Sequence, residues 1–276
     1  MDVLGIDLGT RKSGVCWVSG NEIAVLRTIN TEDLVESLTE IEEQQETPHV
    51  VVVDAPIDPT DGEGFRDIDR FFMKGLFNNN HVGLQPNNPD LLNMNAEVEA
   101  LRMWCHDRNI QYSNDFPTND ARTLRETMPN PAFGILSCPD ALLPVKRRLR
   151  FRYGRGCNVA PIIVAFETLV GQPCEFLDVL DNAPVDWNAL EQIPENMAQE
   201  QSDDLVAALV CVSLAWWHLN TDEVGFVKED RGHYLLPPCR LVHQRWLAEI
   251  RRILARDEFE DVETNFGHLV EEVRDE

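Results

Sequence analysis

Four consecutive valines, Val50 to Val53, sit between the polar residues His49 and Asp54. An unbroken β-branched run with polar ends predicts a strand buried on both faces, and such strands are typically parallel to their neighbours. A strand of that kind needs covering elements above and below, which makes the chain an α/β protein. The preceding residues fit the same plan. Val3 to Asp7 reads as a second buried strand, and Gly14 to Val18 and Glu22 to Ile29 as two more, with Ser19-Gly20-Asn21 as a turn. Thr31 to Gln45 is polar except for Leu34, Leu38 and Ile41 at helical spacing, so a surface helix precedes the valine strand. Three strands, a helix and a strand imply a mixed sheet with a helical crossover.

Further along, Phe65 to Leu76 reads as a short helix inside a loop-rich stretch, and Asn78 to Pro89 as an exposed loop rich in Asn and Pro. Ala96 to Asp107, Thr118 to Glu126 and Val159 to Val170 are helix candidates. Asp203 to Trp217 is apolar nearly all round and reads as a buried helix opened by Asp203-Asp204. Val224 to Val227 and His233 to Leu236 read as strands, and Leu241, Val242, Trp246, Ile250 and Ile253 give a last helix one apolar face. With no internal repeat, the expectation is one domain over 1–256, a loop-rich insertion around 56–95, and an acidic tail over 257–276.

Asp and Glu outnumber Lys and Arg by 48 to 24, for a net charge of −24, and Lys12, Lys74, Lys146 and Lys228 are the only lysines. Such a surface repels nucleic acid at long range, so an anionic substrate requires a local basic segment. One dense positive run exists: Lys146, Arg147, Arg148, Arg150, Arg152 and Arg155, with Phe151 and Tyr153 interleaved. It supplies phosphate contacts and stacking surfaces, or else pairs with the acidic surface. The 7 His residues show no metal-ligand spacing, and the 7 Cys include no Cys-x-x-Cys pair. Buried, reduced thiols at Cys16, Cys105 and Cys211 are expected, and with them a cytoplasmic protein. No segment reads as a signal peptide or a membrane span. A Gly-x4-Gly-Lys phosphate loop and a Gly-x-Ser-x-Gly elbow are both missing from the sequence.

Two acids end apolar runs. Asp7 precedes Leu8-Gly9-Thr10, and Asp54 precedes Ala55-Pro56-Ile57. A carboxylate at the end of a strand, before a turn, projects into the crevice where α/β sheets bind ligands. On parallel neighbouring strands about 4.8 Å apart, the two would repel until a cation arrived. Hard oxygen ligands suit Mg²⁺ or Mn²⁺. The alternative is that both are turn residues. The acids of Asp203-Asp204 are better explained, on the sequence alone, by helix capping and the dipole. Arg66 and Arg70, one helical turn apart, would contact anions near Asp54 or pair with Asp67 and Asp69.

The opening Gly5–Val18 (GIDLGTRKSGVCWV) is similar to the first two strands of RNase H-like nucleases. A fuller resemblance is to the domain-of-unknown-function 429 family, described as predicted RNase H-like nucleases. It is carried, in order, by Val51–Ile57 (VVVDAPI), Phe65–Phe72 (FRDIDRFF), Arg125–Leu136 (RETMPNPAFGIL), Ser202–Trp216 (SDDLVAALVCVSLAW) and Gly232–Pro238 (GHYLLPP). The resemblance implies an RNase H-like mixed sheet with helices on both faces. It implies a catalytic acidic site from Asp7, Asp54, Glu126, Asp203 and Asp204, with Asp7, Asp54 and Asp204 holding Mg²⁺ or Mn²⁺. It also implies a metal-dependent nuclease with nucleic acid as partner; the charge pattern then makes Lys146, Arg147, Arg148, Arg150, Arg152 and Arg66 the expected substrate contacts. One departure stands out: the family often has another Asp three residues after the acidic pair, where this chain has Ala207. That departure favours the alternative of a catalytically degenerate module that binds nucleic acid or a protein partner.

Overall fold

The computed structural model of the chain describes residues 1–20, 22–57, 66–71, 95–112, 121–129, 132, 195–220, 225–230, 232–237, 244–256 and 259–264. The expected loop over 78–89, the helix over 159–170 and the basic run from Lys146 to Arg155 lie outside them.

Asp2–Asp7 (β1), Lys12–Ser19 (β2) and Glu22–Asn30 (β3) form the antiparallel meander. Gly20 takes φ +61° in the second turn, a conformation that only glycine adopts at no steric cost. A 3-10 turn leads into α1 (Leu34–Glu42), which buries Leu34, Leu38 and Ile41 as their spacing requires. The valine strand β4 (Val50–Val53) then pairs parallel to β1, with Ile6 opposite Val53. After α2 (Asp67–Arg70) and α3 (Asn95–His106), two short strands follow, β5 (Gln111–Tyr112) and β6 (Thr123–Glu126). The sheet order is β3-β2-β1-β4-β6-β5, with the last four strands mutually parallel. Thr118 to Glu126 is therefore not a helix where it is described. Thr123 to Glu126 is wholly buried between β4 and β5, and that pairing outweighs the local pattern.

Helices lie on both faces of this mixed sheet. On one face Leu4, Ile6, Val51, Val53 and Leu124 pack with residues of α1 and α3. On the other lies α4 (Glu195–Asn220), and it meets the sheet through two glycines. A Cβ on Gly5 would stand 2.3 Å from the Val212 nitrogen and 2.4 Å from the Ala208 carbonyl oxygen. A Cβ on Gly14 would stand 2.1 Å from the Asp204 carbonyl oxygen. The helix backbone thus rests directly on β1 and β2.

A second sheet, ordered β8-β7-β9, consists of β7 (Gly225–Glu229), β8 (Gly232–Leu236) and β9 (Glu263–Thr264). It shares a core with α2 and α5 (Gln244–Leu254). An acidic tail does not begin at residue 257: Phe259 and Val262 are buried in that core, and Glu263-Thr264 pairs with Val227 and Lys228. The two sheets meet at Thr127, which bridges Leu235 and donates its hydroxyl to the Leu235 carbonyl at 2.8 Å.

Gly5→Ala tests the helix seat. Its obstacles are backbone atoms that cannot rotate away, so urea unfolding should show a loss of about 1–3 kcal/mol or more. An unchanged midpoint would mean that α4 does not sit on Gly5.

Candidate functional site

Asp7 is the last residue of β1, and Asp54 follows β4 and donates its N–H to the Ile6 carbonyl at 2.9 Å. The parallel register, Ile6 opposite Val53, places Asp7 and Asp54 abreast. Alternation along a strand sends their side chains to the face of Gly5, the face that α4 covers. Both are half-buried, whereas the strands behind them are buried. The loop after Asp7 is tied down. The Thr31 hydroxyl donates to the Gly9 carbonyl at 2.8 Å, the Thr31 N–H donates to the Arg11 carbonyl at 3.0 Å, and a Cβ on Gly9 would lie 2.2 Å from the Lys12 carbonyl. Glycine is needed there for the chain to turn so closely.

Helix α4 brings a third acid. The backbone of Asp204 lies over Gly14, the residue paired with Asp7. Cys211, two turns later, is buried beside the strand acids. Burial pushes its thiol well above the ordinary range, and the charges of Asp54 and Asp7 push it further, against a hydrogen bond from the Ile6 backbone. Half-buried Ala207 lies between Asp204 and Cys211 on this side of the helix. Asp203 and Asp204 do not open the helix, which starts at Glu195 and places them beyond its second turn. The first-turn dipole therefore does not explain them. Among the described residues, no three His, Cys, Asp or Glu side chains are arranged to hold a metal ion.

Glu126 does not join this group. It stands opposite Val53, so it shares the face of Ile6 and Val53, away from Asp7 and Asp54. There it is 0% exposed and accepts three hydrogen bonds: from the Ile57 N–H at 2.8 Å, the Tyr112 hydroxyl at 2.7 Å and Arg66 Nη1 at 2.6 Å. Arg66 is buried on that face as well. It is 1% exposed and spends its other donors on Asp69 and on Tyr234, whose hydroxyl also bonds Asp69. Gly232 leaves room for it, since a Cβ there would stand 2.3 Å from Arg66 Nη1. Arg70 pairs with Asp67 at 3.1 Å, as the ion-pair reading expects. Asp69 pairs with Arg66 at i,i+3, as the ion-pair reading expects, but the roles of Tyr112 and Tyr234 have no local signature in the sequence. The only hint is that Arg66, Glu126 and Tyr234 belong to three separate segments of the family resemblance.

Cys16, Cys105 and Cys211 are buried free thiols, and no helix among the described residues is long and apolar enough to cross a membrane. Taken together, the chain is a mixed α/β protein with paired strand-end acids beneath a crossing helix. It belongs to the DUF429 family of proteins of unknown function, whose pattern spans residues 5–231. No curated protein and no solved structure matches it.

The buried imidazole beside Glu126 makes a pH prediction. His233 accepts the Glu126 N–H on Nε2 at 3.4 Å and stacks on Tyr112. Burial, then the Arg125 and Arg66 guanidiniums, holds it well below its ordinary value. An unfolded histidine takes up its proton near pH 6.5 and the folded one does not. Stability from this group is therefore present above about pH 6.5 and is lost as pH falls. Relative to His233→Phe, which cannot titrate, the wild type should lose stability steadily from pH 7 to 5 in urea titrations. A pH-independent difference between the two would contradict the neutral, buried state.

Proposed function

We propose that this chain is an RNase H-like, metal-dependent phosphodiesterase acting on nucleic acid, with Asp7 and Asp54 as the core of its site. The observation that carries the reading is the placement of these two half-buried acids abreast, at the ends of neighbouring parallel strands. The mixed sheet with helices on both faces is in keeping with the fold that the family resemblance implies.

The donor set suits a hard cation. Mg²⁺ is commonly held by one or two carboxylates, with water and substrate phosphate oxygens completing the shell. Asp7 and Asp54 would be the two protein ligands, with Asp204 approaching from α4. When bound, such a cation supplies Lewis-acid stabilisation of phosphate charge and an acidified water. The fixed turns after Asp7 and Asp54 orient the carboxylates, and α4 shields their inner side from solvent. The sequence's basic run, Lys146 to Arg155, would offset the net charge of −24 and contact the substrate backbone.

A second reading, a catalytically degenerate module that binds nucleic acid or a protein partner, is favoured by two observations. Ala207 stands on the site side of α4 without a carboxylate, and Glu126 is committed to Arg66 on the other face.

Cation linkage tests the proposal. At roughly one hundred times its dissociation constant, Mn²⁺ should add about 2.7 kcal/mol and raise the melting temperature. Asp7→Asn and Asp54→Asn should each remove the shift, and Ala207→Asp should enlarge it. Metal-dependent cleavage by the wild type selects the enzyme reading, and nucleic-acid binding without cleavage selects the module. Replacing Arg147, Arg148 and Arg150 with Gln should flatten the salt dependence of binding by about one unit of slope per lost contact. A melting temperature indifferent to roughly 10 mM Mn²⁺ would remove the metal site.

A further inference from the structure

We propose that Glu126, held by Arg66, is a positioning residue that fixes the Asp54–Ile57 turn and so keeps the Asp54 carboxylate beside Asp7. The link to Asp7 rests on reading the two acids as one cation site, but the hold on the turn does not.

The turn is anchored at both ends by hydrogen bonds that reach outside it. Its first N–H, from Asp54, goes to the Ile6 carbonyl at 2.9 Å. Its last, from Ile57, goes to Glu126 Oε1 at 2.8 Å. Between the anchors lie Ala55 and Pro56. The proline ring fixes one backbone angle, and its Cδ restricts the residue before it. Ala55 and Ile57 are buried, so the turn is also packed from within. Both anchors are long-range, and the Glu126 anchor comes from 69 residues away.

Glu126 would be a poor anchor alone. A buried, unpaired carboxylate is costly and tends to take up a proton. Arg66 counters this with a charge-assisted bond to Oε2, leaving Oε1 for the Ile57 N–H and the Tyr112 hydroxyl. Arg66 is immobilised in turn by Asp69 and Tyr234. A continuous path of buried polar contacts therefore runs from β8 in the second sheet to the turn that carries Asp54. Glu126 acts from the face of the sheet opposite to Asp7 and Asp54.

Amide hydrogen exchange and Mn²⁺ affinity, both on the full chain, test this. In Glu126→Ala, exchange at Ile57 should accelerate by at least about tenfold while β1 and β2 keep their protection. Mn²⁺ affinity, read by electron paramagnetic resonance, should fall by a similar factor. Glu126→Gln, which keeps an acceptor for Ile57, should restore most of both, and Tyr112→Phe should leave both near wild type. Should Glu126→Ala fail to fold because of the cavity it leaves, Glu126→Leu removes the acceptor at similar volume while Arg66 keeps its ion pair with Asp69. Unchanged Ile57 exchange in a folded variant overturns the proposal. So does faster exchange with undiminished Mn²⁺ affinity. A wild type that binds no Mn²⁺ overturns the cation site instead, and the exchange measurement alone then decides whether Glu126 holds the turn.

Discussion

The parallel pairing of Val3–Ile6 with Val50–Val53 is the constraint on which the rest of the molecule depends. Two strands this apolar lose both faces to solvent only if something covers each side. On one side α1 and α3 do so with large side chains. On the other α4 does so by near-contact of backbone with backbone, which is why glycine stands at positions 5 and 14. Parallel register also means that both strands finish at the same edge. The acids that follow them arrive there together, half-open to solvent, beneath the helix that carries Asp204 and Cys211.

Alternation along the strands then divides the polar chemistry in two. Asp7 and Asp54 face α4. Glu126, one register position back, faces the other way and is locked into a dry ionic cluster with Arg66, Asp69 and the two tyrosines. Removing one partner of such a cluster costs more than the pair contributes, because the other charge is stranded. Its value here is geometric, since it joins β6, the second sheet and the turn after Asp54. One side of the sheet thus holds the strand-end acids, and the other holds the groups that fix the turn after Asp54.

Much of this was legible in the sequence. The meander, the first helix, the valine strand and the juxtaposed acids all follow from local periodicity and from apolar runs that end in Asp. Two strands of the second sheet, Gly225–Glu229 and Gly232–Leu236, were also visible. The misread parts depend on distant partners. Thr123 to Glu126 is too short to show a period, and only its neighbours make it a strand. Arg66 and Glu126 are residue types that usually stay in water, and their burial is permitted by Tyr234, 168 residues from Arg66. Asp203-Asp204 resembled a helix cap because the residues before it are polar, yet the helix begins at Glu195. Phe259 and Val262 were hidden in an acidic stretch whose two apolar side chains suffice to fold it back onto α5 and the second sheet.

If Asp7 and Asp54 form one cation site, crystals of the protein soaked in Mn²⁺ should show it by anomalous scattering. A peak should be shared by the two carboxylates, with oxygen distances of about 2.1 Å, as for Mg²⁺, and no such peak should appear in Asp54→Asn. Manganese bound only elsewhere, or the two carboxylates turned apart with no peak between them, would contradict it.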